Sequence, residues 1–179
     1  MSYKNSSIAP SVTLLIGSAC VGKSTYIQNR PYDFVVSSDN IVDEICKLHK
    51  LTYSQFFELN FNSPIRKKQR QLFNQAVEES KNYRNIVWDL TNLTRKDRAK
   101  VLSHYPSADF TAIEFAYKGW EEDIVQLSHE RATLTGKVIP EQVLFSMFKS
   151  YESVSQNEGF SQIISVNMIS LIINSRNAA

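Results

Sequence analysis

Short apolar blocks separated by longer amphipathic stretches run the length of the sequence. Five blocks rich in β-branched and aromatic residues, at 12–16, 34–37, 85–89, 110–116 and 163–167, predict strands. They are short and mostly apolar rather than alternating, so they read as strands covered on both faces, as parallel strands are under crossover helices. Between them the period lengthens to that of helices. Ser63 before Pro64 supplies an N-cap and first-turn pair, after which Ile65, Leu72, Phe73, Ala76 and Val77 share a face while Arg66, Lys67 and Arg70 fall elsewhere. Thr94 with Asp97 resembles a capping box with Asp in place of Glu or Gln. From Trp120 a stripe continues through Ile124 and Leu127 to Arg131, and Pro140 opens a last helix with Val143, Leu144, Met147, Phe148 and Tyr151 on one side. The expected order is βαβαβαβαβ with right-handed crossovers. No repeat and no Gly/Ser-rich linker interrupts it, so residues 1–179 are expected to form a single domain.

Composition narrows the class. With 179 residues, 42% of them hydrophobic, and five each of Gly and Pro, the chain has enough apolar material for one α/β core and no disordered or collagen-like bias. Its net charge of +2 gives no whole-molecule field toward nucleic acid or an anionic membrane, so a polyanion site has to be local. Cys20 and Cys46 make no disulfide framework, and no Cys/His spacing suits zinc. The apolar run at 12–16 is too short for a signal segment or a membrane span, and a reducing, cytoplasmic setting without membrane contact is expected.

The chemistry concentrates after the first predicted strand. Gly17, Ser18, Ala19, Cys20, Val21, Gly22, Lys23 and Ser24 satisfy G-x-x-x-x-G-K-[ST] in full, with Thr25 following in the predicted helix. The glycines let the backbone curl so that successive N–H groups face an anion, and the helix N-terminus adds partial positive charge. Lys23 then reaches the β and γ phosphates of ATP, and the Ser24 hydroxyl ligates Mg²⁺. Asp89 ends a predicted strand as a metal-orienting carboxylate does, the lesser alternative being an Asp that caps the next turn. Thr91 and Asn92 could bond that loop or the nucleotide.

Asp39 falls at the carboxyl end of the second strand, where open parallel sheets bind ligands; it suits a general base or a plain helix N-cap. Arg131 precedes a short predicted lid, residues 132–139, that contains Lys137; the two could close over a transferring phosphoryl group, or Arg131 could simply complement its helix dipole. The basic runs 66–70 and 95–98 suit solvated helix faces or nucleic acid. Tyr53, Phe56, Phe57 and Phe61 could stack bases, though their spacing suits core packing better. His49, His104 and His129 have no metal or triad spacing.

Taken together, the P-loop, Ser37-Ser38-Asp39-Asn40, Asp89-Leu90-Thr91-Asn92-Leu93, and the stretch from Arg131 through Gly136-Lys137-Val138-Ile139-Pro140 to Met147-Phe148-Lys149-Ser150 resemble the kinase domain of phage polynucleotide 5′-hydroxyl kinases, over roughly residues 11–153. The resemblance implies a three-layer α/β/α P-loop kinase with a mostly parallel five-stranded sheet and a helical lid. It implies ATP as donor, Mg²⁺, Asp39 as base on the 5′-hydroxyl of a nucleic acid or nucleotide, Lys23 and Ser24 at the donor phosphates, and Arg131 as the lid arginine. Val42 stands where that family usually carries an Arg for an acceptor phosphate. Residues 81–92 also resemble the P-loop domain of the heterogeneous nuclear ribonucleoprotein U family. A small-molecule kinase for a nucleoside, sugar or antibiotic, and a non-catalytic nucleotide- or RNA-binding module, are the alternative readings.

Overall fold

A computed structural model of the chain describes residues 9–28 and 30–177, with side chains described as far as Asn174; residues 1–8, 29, 178 and 179 of the expected unit lie outside the described residues. Strands β1 (Ser11–Ile16), β2 (Phe34–Ser37), β3 (Asn85–Asp89), β4 (Asp109–Phe115) and β5 (Gln162–Val166) form one sheet in the order β2-β3-β1-β4-β5. Every neighbouring pair is parallel. Where mostly parallel pairing is expected, all of it is parallel. β1 is central, and the chain order reverses on either side of it, which opens a crevice at the carboxyl ends of the strands.

The apolar blocks build two cores because successive side chains of a strand point to opposite faces. Val12, Leu14 and Ile16 of β1 join Ile86 and Trp88 of β3 on one face, against Val77 of α4 (Pro64–Ser80) and Val101 of α5 (Arg95–Ser103). On the other face Leu15, Val87, Ile113 and Phe115 meet Tyr26 of α1 (Lys23–Gln28), Ile124 and Leu127 of α6 (Glu121–Thr135), and Leu144 of α7 (Glu141–Ser150). A third, smaller core joins Val42, Ile45 and Cys46 of α2 (Ser38–His49) to Phe56 of α3 (Tyr53–Glu58), so the insertion between β2 and β3 packs on its own apolar residues beside the crevice.

Helix starts follow local chemistry. Ser63 caps α4 by accepting from Arg66 N–H, with Pro64 in the first turn. Thr94 accepts from Asp97 N–H and donates to Asp97 Oδ2 at 2.6 Å; the shorter Asp side chain takes the hydroxyl, where the Glu or Gln of a full box takes the N-cap N–H. α3 lies outside the expected elements, yet Thr52 and Gln55 close a complete capping box at its start.

Three expectations are corrected. α7 is not the last helix: α8 (Met168–Asn177) follows β5 and buries Ile169 in the second core. The lid is shorter than 132–139, because α6 continues to Thr135 and ends on Gly136 in the left-handed conformation (φ 72°). The second basic run is not all solvated face, since Arg98 is fully buried: it bonds Glu158 through Nε at 2.6 Å and Nη2 at 2.9 Å. Its Nη1 donates to the carbonyls of Asn92, Leu93 and Glu152. No helix among the described residues is long and apolar enough to cross a membrane.

Candidate active site

Residues 17–22 turn the chain from β1 into α1. Cys20 (φ 63°) and Gly22 (φ 92°) both adopt the left-handed conformation, an alternation that brings consecutive N–H groups toward one concavity. Space as well as conformation selects the glycines. A Cβ on Gly22 would lie 2.7 Å from Met168 Cβ of α8, and one on Gly17 would lie 2.9 Å from Phe115 Cβ. Ser18 and Val21 are buried, Ala19 and Cys20 half-buried, and Ser24 and Thr25 exposed on the first turn of α1. Lys23 Nζ donates to the carbonyls of Gly17 at 3.0 Å and Ser18 at 2.6 Å, which holds the ammonium across the mouth of the loop.

The segment after β3 fastens this loop. Gly17 N–H donates to Thr91 O at 3.0 Å, and the buried Asn92 (φ 47°) donates from Nδ2 to Leu15 O at 2.8 Å. Both bonds tie the ends of β1 and β3 together and set Asp89 beside the P-loop. Burial pushes the Asp89 carboxyl above the ordinary range and Asp39 adds to this, while the Lys23 ammonium opposes it. Burial likewise lowers Lys23, with Asp89 and then Asp39 pulling it back up. Lys23 and Asp89 therefore share one poorly solvated site, in which charge interactions are stronger than in water, with the half-exposed Asp39 at its edge.

Asp39 is placed by α2, whose N-cap is Ser37, accepting from Asn40 N–H. The carboxylate is not spent on capping. Its Oδ1 accepts from the Tyr53 hydroxyl at 3.2 Å, and its Oδ2 lies 3.9 Å from Arg131 Nη2. Burial, reinforced by the neighbouring Asp39, drives the Tyr53 phenol above its usual range, so Tyr53 is a fixed neutral donor to that acid. Arg131 also brings Nη1 to 3.9 Å from Cys20 Sγ, which carries the end of the α6 stripe onto the P-loop. Lys137, beyond the turn at Gly136, pairs with Asp43 Oδ2 at 2.5 Å and lies 5.5 Å from the Tyr53 ring centroid. Val42 is buried in the third core and presents no charge to the crevice.

The structure thus brings Lys23, Asp39, Asp89 and Arg131 together at the carboxyl edge of the sheet, with Ser24 and Thr25 next along α1. Tyr53 and Asp43 belong to the same constellation and were not singled out for it. Asp43 carried a signal, since it follows Asp39 by one helical turn and shares its face. Among the described residues no group of three or more His, Cys, Asp or Glu could hold a metal alone. One half-buried carboxylate, Asp89, with a P-loop hydroxyl instead suits Mg²⁺, which keeps waters and shares its coordination with substrate phosphates.

Helices on both faces of an all-parallel sheet, with a P-loop after the central strand, make this a P-loop kinase-like fold. The chain belongs to the AAA domain family, whose model matches residues 12–153. Among solved structures it is similar to a chain of the Pnkp1/Rnl/Hen1 RNA repair complex, at 22% identity and a TM-score of 0.61 over 83% of this chain. It spans only 46% of that chain. It is also similar to a gluconokinase from Sinorhizobium meliloti 1021, at 17% identity and a TM-score of 0.51, over 92% of this chain and 88% of the gluconokinase. No curated protein matches the chain in sequence.

Proposed function

We propose that this chain is a phosphotransferase, folded as one domain, that moves the γ-phosphoryl group of ATP to a hydroxyl, the 5′-hydroxyl of a polynucleotide or nucleotide above others. The observation that carries the reading is the convergence of Lys23, Asp39, Asp89 and Arg131 around the P-loop. A module that only held nucleotide would have no use for a carboxylate free of capping duty on the acceptor side of the crevice.

Each residue has a separable task. The N–H groups of 17–22 and the Lys23 ammonium hold the donor phosphates, and Lys23 exchanges its loop carbonyls for phosphate oxygens. Ser24 and Asp89 would hold Mg²⁺, which when bound neutralises charge on the β and γ phosphates. Asp39, oriented by Tyr53, takes the proton of the acceptor hydroxyl as its oxygen bonds the γ phosphorus and the bond from that phosphorus to the bridging oxygen breaks. Arg131 reaches from the C-terminal end of α6 toward the charge that gathers on the transferring group. The 3.9 Å between Arg131 and Asp39 leaves both free to turn toward a phosphoryl group between them.

The test is incubation with γ-labelled ATP and Mg²⁺ against 5′-hydroxyl DNA, 5′-hydroxyl RNA, nucleosides, gluconate and buffer alone. Label on the oligonucleotides is expected. Label on nucleosides or gluconate alone would contradict the polynucleotide acceptor, and nucleotide binding with no transfer to any acceptor would contradict the phosphotransferase.

A further inference from the structure

We infer that Tyr53, Phe57, Phe61, Arg66 and Arg70 form a platform that grips a single-stranded polynucleotide acceptor behind its reacting 5′ end. This rests on the phosphotransferase reading above and adds the residues that would read the strand.

The aromatic run of α3 divides in two. Phe56 is fully buried in the third core, but Phe57 and the following Phe61 leave 51% and 62% of their surface in water. Core packing explains the first and not the other two. Each exposed ring has a guanidinium nearby from one face of α4: Arg66 lies 4.7 Å from the centroid of the buried Phe56 and 5.2 Å from that of Phe57, and Arg70 lies 4.0 Å from the Phe61 centroid while donating to Phe61 O at 2.9 Å. Arg66 Nε is buried with no hydrogen-bond partner, a cationic donor without its acceptor. The row begins at the reaction centre, because the Tyr53 ring is 4.9 Å from Phe57 while its hydroxyl bonds Asp39.

Charge selects the occupant. Residues 52–70 carry two Arg and two Lys against Glu58 alone, while Glu78 and Glu79 stand at the far end of α4. A repeated pair of exposed ring and guanidinium matches the alternation of base and phosphate along one strand. The rings supply stacking faces to any base and the cations screen the backbone. A nucleoside would touch only Asp39 and Tyr53; a strand of several nucleotides would reach Phe57 and then Phe61.

Steady-state phosphorylation of 5′-hydroxyl dinucleotide, tetranucleotide and hexanucleotide acceptors tests this in the full chain. The wild-type KM is expected to fall with length, and Phe57→Ala or Phe61→Ala to raise the hexanucleotide KM about tenfold while leaving those for dinucleotide and ATP unchanged. Phe57→Leu and Phe61→Leu keep apolar bulk, so a folded Leu variant with the same loss separates stacking from stability. Arg70→Gln is expected to reduce the salt dependence of the hexanucleotide KM by roughly one counterion. Length-independent KM values, or aromatic variants that leave the hexanucleotide KM unaltered, would overturn the platform with the polynucleotide reading intact. Transfer to small acceptors and to no oligonucleotide would overturn both.

Discussion

The ion pair between Lys137 and Asp43 ties the segment after α6 to α2, and under the proposed phosphotransferase reading it gives a quantitative handle on lid closure. Its side chains keep 20% and 33% of their surface exposed, so it lies between a surface pair, worth under about 1 kcal/mol, and a buried pair. We take about 1 kcal/mol, a factor of roughly five in the population of lids that place Arg131 beside Asp39. Asp43→Asn and Lys137→Met should each lower kcat/KM about fivefold, with Lys137→Met losing slightly more because its cation also faces the Tyr53 ring. The double variant should fall no further than the worse single one, a coupling of about 1 kcal/mol in a double-mutant cycle. Melting curves of all four proteins check that the fold is kept. Losses that multiply to about 25-fold, with coupling below about 0.3 kcal/mol, would refute a latch made by these two residues.

Two further predictions concern the frame of the site. Burial tends to raise the Glu158 carboxyl, but its bonds to Arg98 and to Ser155 N–H outweigh this and hold it below its ordinary value of 4.5. The unfolded chain then takes up that proton first, so this contribution is complete at neutral pH and is lost as pH falls through the folded carboxyl's range. Glu158→Gln, which strands the buried Arg98, should lower unfolding free energy by about 3 kcal/mol at neutral pH, with the gap to wild type narrowing below about pH 4. A gap that stayed constant into acid would show that the ion pair is not its source. Gly22→Ala must adopt φ near 92° and push its Cβ against Met168, so at about 1–2 kcal/mol denaturation should shift down by about 2–8 °C. An unchanged Tm would mean that α8 does not brace the P-loop.

Much of this molecule was legible in its sequence because the signals were local. The strands matched to within a residue, since apolar blocks under crossover helices have few alternatives, and the P-loop fell between a strand and a helix as its motif requires. Asp39 was singled out by the rule that parallel sheets bind ligands over their carboxyl ends, Asp89 by ending an apolar strand, and Arg131 by continuing a helical stripe to the lid. Tertiary pairing was harder to read. Arg98 looked like one more exposed cation because its partner Glu158 lies far along the chain, and nothing local marks a side chain that will be buried against it. Asp39 could not be told from a helix cap until Ser37 was seen to do the capping. The aromatic run from Tyr53 to Phe61 held both core and surface residues at one composition, and only the packing of α3 against α2 separates Phe56 from Phe57.

Lys23→Ala and Asp39→Asn, compared side by side for ATP binding and for single-turnover transfer to a 5′-hydroxyl oligonucleotide, test the central claim most directly. The account predicts that both lose transfer by about a hundredfold or more, while only Lys23→Ala greatly weakens ATP binding, because one side chain grips the donor and the other serves the acceptor. Full transfer by Asp39→Asn, or equal loss of ATP affinity in both, would contradict it.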